Sequence, residues 1–280
     1  MRKPVVTIAV NAARRAGKVI LRSLGKLDSL KVMEKERLDF TTEVDRAAES
    51  EIIKELRHAY PEHAMWGEEG GRQGTHKYTW VIDPLDGTSN YIRGLPFFSV
   101  SIALLENGVP LAGVVYNPLS EELFTAHKGS GAFMNDKRIR VAQKTQLAGC
   151  MIGTGFPPRQ RKQLPAQLRM IKQLLTDAED LRRTGSAALD LSFVACGRYD
   201  AFFEFGLKAW DMAAGVLLVR EAGGICVDFE GKEGFMESGN VIAGNLKVAA
   251  AMVGRMRVPK LTVAEAKSGL SLSLHSDEDL

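Results

Sequence analysis

Asp83 and Asp86 stand three apart in the stretch WVIDPLDGTSNY (residues 80–91), with Pro84 and Leu85 between them and Gly87 and Thr88 directly after. Carboxylates held so close repel each other unless something positive lies between them. A capping aspartate beside a turn aspartate is the bland reading of such a pair. It loses ground here because further acids fall where strands and helices are expected to end. Glu68 and Glu69 follow a short apolar stretch, and Asp211 follows Trp210 at the head of an apolar helix. Singly, these read as a solvated loop and a helix-start acid. Together with Asp83, Asp86 and the Leu85 carbonyl they supply the hard oxygen donors that Mg²⁺ prefers, with no His or Cys in the set. Two neighbouring magnesium ions can activate water and stabilise a leaving oxygen during phosphoryl transfer. Gly87 and Thr88 offer backbone N–H groups to an anion, Gly87 permits close approach, and the Thr88 hydroxyl can orient a water.

Strand and helix ends must hold these groups. Pro84 pushes Asp83 into extended backbone, so the strand TWVID (79–83) is expected to end at Asp83. Helical periodicity covers residues 4–24 and 42–60, the second capped by Thr41 or Thr42 and followed by Pro61. A short strand is expected at 28–35. Residues 99–129 read as a meander punctuated by Asn107-Gly108, Asn117-Pro118 and Lys128-Gly129. After residue 145 strands and helices alternate. Strands are expected at 149–155, 198–205, 225–229 and 240–245, and helices at 161–178, 186–197, 210–224 and near 246–257. This is a mixed α/β chain with helices layered over sheets. Residues 1–260 are expected to form a single catalytic unit of two lobes, about 1–145 and 146–260, with residues 261–280 a flexible tail.

The 280 residues are 45% hydrophobic, enough for a sizeable core. With 37 basic and 34 acidic residues the net charge is only +3, which argues against a dedicated nucleic-acid binder. The three scattered cysteines, Cys150, Cys196 and Cys226, have no metal-ligand spacing and read as buried thiols. No apolar run is long enough for a bilayer, so a soluble, cytoplasmic chain without a membrane partner is expected. Trp80, Trp210, Phe202, Phe203 and Phe205 read as core. Asn90 and Asn245 fit either turn positions or outer supports of the site.

WVIDPLDGTSNY and WDMAAGVLLVREAGG (210–224) resemble the two signatures of the magnesium-dependent, lithium-sensitive inositol monophosphatases. GEEG (67–70) resembles that family's acidic loop, and TEVD (42–45), GSAALD (185–190) and FFEFG (202–206) fit further family positions. The similarity runs over roughly residues 5–257. RRTGSAALDLSFVACGRYDAFFEFGL (182–207) and GTGFP (153–157) look most like the bacterial SuhB branch. The resemblance implies the layered αβαβα sandwich of the sugar phosphatases (inositol monophosphatase/fructose-bisphosphatase type). It implies two or three Mg²⁺ ions held by Glu68, Asp83, the Leu85 carbonyl, Asp86 and Asp211. Glu68 and Thr88, with Asp45 behind Thr88, would position the attacking water. Gly87 and Thr88 would contact phosphate, and Gly185, Ser186, Ala187 and Glu204 the inositol ring.

The implied reaction is hydrolysis of inositol 1-phosphate or a related polyol phosphate by a homodimer. Fructose-1,6-bisphosphate, histidinol phosphate and nucleotide 3′-phosphates are the runner-up substrates. The SuhB branch also implies a partner role with NusA and RNA polymerase in ribosomal RNA antitermination. Arg182-Arg183, Lys137-Arg138 with Arg140, and Arg159 with Arg161-Lys162 are the basic clusters to weigh for it, against a merely solvated surface. Arg183 fits a subunit interface equally well. The chain departs from the common family pattern at Gly70, Ser89 and Tyr91, none of them a ligand position.

Overall fold

The computed structural model describes residues 2–27, 30–36 and 39–256; the expected tail at 261–280 lies outside them. The first half runs α1 (Pro4–Leu24), β1 (Val32–Glu36), β2 (Asp39–Thr42), α2 (Glu43–Ala59), β3 (Ala64–Gly67), β4 (Gly71–Gln73), β5 (Tyr78–Asp86) and α3 (Thr88–Ile92). It continues through β6 (Ser99–Glu106), β7 (Val109–Asn117), β8 (Glu122–His127), β9 (Gly131–Met134) and β10 (Lys137–Arg138). Next come β11 (Met151–Thr154), α4 (Leu164–Leu174), β12 (Asp180–Arg182), α5 (Ala187–Ala195) and β13 (Ala201–Glu204). The chain then forms α6 (Ala209–Glu221), β14 (Ile225–Val227), α7 (Phe235–Ser238), β15 (Val241–Gly244) and α8 (Leu246–Met256).

Strands β3 to β10 form one eight-stranded sheet in the order β10-β9-β8-β7-β6-β5-β3-β4, and β11 to β15 a five-stranded one in the order β12-β11-β13-β15-β14. Residue 145 falls in the connection between them. Period-two alternation assigns the faces. Trp80, Ile82, Ile102, Leu104 and Val114 join the buried faces of α1 and α2, while Val81, Ala103 and Val115 point to the other side, toward α5 and α6. In the second sheet Phe202 and Val241 face α5 and α6, and Ala201, Phe203 and Ile242 face α8. The order of layers is therefore α1/α2, eight-stranded sheet, α5/α6, five-stranded sheet, α4/α8. This is the mixed α/β, αβαβα sandwich that the resemblance implied.

Composition follows position in the stack. Helices α1 and α2 each carry a single apolar face, whereas every residue of α5 is buried, because a helix between two sheets has no solvent side. Each large apolar side chain so buried contributes roughly 1.5–3 kcal/mol relative to exposure. Gly113 on β7 lets α6 approach closely, since a Cβ there would lie 3.1 Å from the Ala214 Cα. Trp80 is fully buried and Trp210 packs against the central core, as expected of anchors. Among the described residues no helix is long and apolar enough to cross a membrane. All three cysteines are free, with Cys150 and Cys226 buried.

Two expectations need correction. Strand β5 does not stop at Asp83: it continues to Asp86, with Asp83 opposite Ser101 and Asp86 opposite Ser99. The three-residue step on β5 against two on β6 is a bulge, which absorbs Pro84 and lets pairing resume. The helix expected at 161–178 is instead a 3₁₀ turn (Pro158–Gln163) followed by α4, because Pro165 lacks an N–H and suits a helical first turn. The meander is as expected, and Asn107 (φ 50°) and Gly108 (φ 83°) make its two-residue turn.

Candidate active site

The carboxyl ends of β3 and β5, the start of α3, the segment before α5, the end of β13 and the first turn of α6 converge on one cleft. Glu68, Asp83, Leu85, Asp86, Gly87, Thr88, Gly185, Ala187, Glu204 and Asp211 all line it, joined by Phe40, Gly155, Phe156, Pro157 and Arg183. Residues scattered over more than half the chain therefore meet at one place. Asp45 stands behind Thr88. Ser186, expected among the substrate contacts, is fully buried, and its hydroxyl donates to Asp86 Oδ2 (2.6 Å) instead.

Local structure explains why these side chains sit where they do. Thr42 caps α2: its hydroxyl accepts from Val44 N (3.1 Å) and donates to Asp45 Oδ2 (2.6 Å), which also accepts from Thr42 N (2.8 Å). That closed box turns the other oxygen of Asp45 to Thr88, whose hydroxyl is 2.9 Å from Asp45 Oδ1 and 3.0 Å from the Leu85 carbonyl. Asp83 Oδ1 accepts from Leu85 N (3.0 Å), the Asx-turn bond of the bland reading, yet faces the cleft as well. Asp211 both accepts from Lys208 N (2.7 Å) at the head of α6 and lines the cleft. Gly87 has φ 92°, and a Cβ there would lie 2.7 Å from the Phe97 carbonyl, so only glycine fits.

Several supports were not legible in sequence. Buried Glu49 on α2 accepts from Glu69 N (3.0 Å) and holds the acidic loop. Cβ atoms at Gly67 and Gly70 would stand 2.2 and 2.7 Å from its carboxylate oxygens, so the loop backbone lies close against Glu49. Tyr91, another of the three departures, is fully buried and its hydroxyl donates to the Ile20 carbonyl of α1 (2.8 Å). Lys35 of the β1–β2 hairpin donates to Glu68 Oε1 (3.1 Å) and to Glu69. Burial pulls the Lys35 ammonium down, but Glu68 and Glu69 outweigh it and hold the group above its ordinary value. Asn245, one of the two open cases, caps α8 by accepting from Lys247 N and Val248 N (both 3.0 Å).

The electrostatics suit a cation-binding site. Burial first, then Glu68, Asp86 and Asp211, push Asp83 far above the usual carboxylate range. Burial raises Asp86 to about 6 against the donors Ser186 and Ala188, and Asp45 to about 6 against Thr42 and Thr88. Glu204 and Asp190 are raised well above the ordinary range, again by burial first. Among the described residues no three His, Cys, Asp or Glu side chains close around a single ion. Each acid is instead turned onto its own donor: Lys35 for Glu68, Leu85 N for Asp83, Ser186 and Ala188 N for Asp86, Lys208 N for Asp211. A set of buried and half-buried hard oxygens that repel one another, with a lysine ammonium on its rim, is chemically suited to Mg²⁺.

These raised values set a stability profile. A carboxyl held above its unfolded value of about 4 folds preferentially protonated. Its contribution is complete below about pH 4 and fades as pH rises through about 6 for Asp45 and Asp86. The melting temperature of the EDTA-treated chain should therefore fall between pH 5 and pH 8, and added Mg²⁺ should restore it most at pH 8. A differential scanning fluorimetry series showing no fall would contradict this reading.

Five layers with an acid-lined cleft at strand ends define a sugar-phosphatase architecture. The chain belongs to the inositol monophosphatase family, whose profile matches residues 1–259, and so to the phosphatases. It is 55% identical over 258 residues to Nus factor SuhB of Xylella fastidiosa, covering 90% of this chain and 94% of that one. The crystal structure of extragenic suppressor protein suhB from Bartonella henselae is 41% identical and superposes with a TM-score of 0.89, covering 91% of this chain and 99% of that one. An inositol monophosphatase from Anabaena is 36% identical with a TM-score of 0.81, covering 92% and 97%.

Proposed function

We propose that this chain hydrolyses inositol 1-phosphate, or a closely related polyol phosphate, with Mg²⁺ held by Glu68, Asp83, the Leu85 carbonyl, Asp86 and Asp211. The observation that carries the proposal is the Thr88–Asp45 hydrogen bond at the edge of the acid-lined cleft. Two or three bound ions would supply the charge that activates water and stabilises the departing alkoxide. Thr88 Oγ1, with its proton committed to Asp45 Oδ1, keeps lone pairs free to accept from a water and aim it at phosphorus. Glu68 is the second acceptor for that water. Gly87 and Thr88 N–H groups seat the phosphate oxygens. Glu204, whose carboxyl burial pushes above its ordinary range, is placed to hydrogen-bond an alcohol group of the ring, with Gly185, Ala187 and the exposed Arg183 around it. Among the described residues no histidine lines the cleft, which agrees with water, and not a phosphohistidine, as the route to product.

The test is phosphate release from inositol 1-phosphate against a panel of sugar, histidinol and nucleotide phosphates, with Mg²⁺, with EDTA and with added Li⁺. Mg²⁺-dependent, Li⁺-inhibited turnover that favours inositol 1-phosphate is expected. A folded, Mg²⁺-binding chain that turns over nothing on the panel would sink the substrate assignment.

A second reading is supported by the high identity to a protein named Nus factor SuhB. In it this chain, as a homodimer, binds NusA and RNA polymerase. Lys137, Arg138, Arg140, Arg161, Lys162 and Arg182 are all exposed, as a docking surface requires, although Arg182 is paired with Asp180. Copurification of NusA with the wild-type chain, lost on charge reversal of these residues while phosphatase activity is kept, separates the two roles.

A further inference from the structure

We propose that Asn90 is a positioning residue for Asp86. Its side-chain amide staples the segment before α5 onto the start of α3, and so fixes the donors that orient the Asp86 carboxylate.

Asn90 is 4% exposed, and its Nδ2 lies 2.6 Å from the Phe97 carbonyl and 2.8 Å from the Thr184 carbonyl. Both amide protons are thereby used, one on a loop of the first half of the chain and one on a strand exit ninety-four residues away. The backbone of Asn90 does work that any residue can do, accepting from Arg93 N and Leu95 N. The side chain is what specifies asparagine.

Three backbone segments crowd at this point. Gly185 has φ 89°, and a Cβ there would lie 3.0 Å from Asn90 Nδ2. A Cβ on Gly87 would stand 2.7 Å from the Phe97 carbonyl and 3.3 Å from that of Gly185. Apolar packing cannot lock such a junction, because its walls are carbonyl oxygens. A two-proton donor at its centre satisfies two of them at once and fixes their separation.

From Thr184 the coupling runs to the metal acid in two steps. The Thr184 hydroxyl donates to Asp190 Oδ1 (2.8 Å) and accepts from Ser186 N (3.2 Å). Ser186 Oγ and Ala188 N then donate to Asp86 Oδ2 at 2.6 and 2.8 Å. The donors that turn Asp86 therefore belong to a segment whose place is set by Asn90, while Asp86 itself leaves the other sheet. Without the staple, the α5 start shifts relative to β5 and the free Asp86 oxygen no longer points into the cleft.

This inference rests on the reading that Asp86 holds the cation, and the experiment separates the two. Mn²⁺ affinity is measured by water-proton relaxation for the wild type, Asp86→Asn, Asn90→Ala, Asn90→Ser, Ser186→Ala and the Asn90→Ala/Ser186→Ala double variant. Melting temperatures are taken in EDTA. Asn90→Ala and Ser186→Ala should each weaken Mn²⁺ binding about 10- to 100-fold, the range for residues that support a metal ligand. Their defects should not multiply in the double variant, because both act through the same carboxylate. Asn90→Ser, which keeps one donor, should fall between wild type and Asn90→Ala, and it carries the test if Asn90→Ala does not fold. A lowered melting temperature with wild-type Mn²⁺ affinity would make Asn90 merely structural and overturn the proposal, as would defects that multiply. If Asp86→Asn loses Mn²⁺ and Asn90→Ala does not, only this inference fails. If Asp86→Asn binds as the wild type does, the proposed metal site fails with it.

Discussion

Replacing Asp86 with asparagine should lower kcat/KM at least about 1,000-fold, or about 4 kcal/mol of transition-state stabilisation. The size follows from how the side chain is held. One oxygen is already committed to Ser186 Oγ and Ala188 N, both donors, so an asparagine must turn its carbonyl to them. Its NH₂ group then faces the cleft, where a ligand oxygen is required, and presents a donor to a cation. The same substitution removes one of the charges that press on buried Asp83. The Asp86→Asn chain should therefore melt higher than wild type in EDTA at pH 8 and gain less from Mg²⁺. Steady-state kinetics and paired melting curves check both halves. A variant that loses activity only because it unfolds would refute this account, and one with wild-type turnover would remove Asp86 from the site.

The second large effect is expected at Thr88. Thr88→Val keeps the volume and deletes the hydroxyl, and should cost about 100- to 10,000-fold in kcat, the range for a positioned proton-handling group. KM should move little, because the backbone N–H groups that seat the phosphate remain. Asp45→Asn should approach the same loss by a different route. The asparagine carbonyl goes to the Thr42 donors, and its NH₂ donates to Thr88 Oγ1. Thr88 then turns its own proton to the Leu85 carbonyl 3.0 Å away and has less capacity left for a water. Groups that act as a unit are not additive, so the double variant should be little worse than Thr88→Val alone. Independent, multiplying losses from the two substitutions would show that Asp45 does not act through Thr88.

The sequence by itself carried the chemistry and most of the elements. Chemistry is written in residue types, and a set of acids with no His or Cys partner points to a hard cation wherever the chain places it. Helices α1, α2 and α6 and the β6–β8 meander were legible because period and punctuation are local. The bulge that carries β5 past Pro84 was not, because it depends on pairing with Ser101 and Ser99 of another strand. Glu49 and Lys35 were invisible for a related reason. Nothing in the local sequence distinguishes a helix glutamate or a hairpin lysine from ordinary surface charge. Only when Gly67 and Gly70 leave room does Glu49 become the anchor of an acidic loop. Ser186 shows the same division. Its motif marked it as part of the site, but whether its hydroxyl meets a substrate or Asp86 depends on which way α5 enters the stack. Residue type fixes what a group can bind; partners and desolvation belong to distances between distant segments, and those exist only once the five layers have closed on one another.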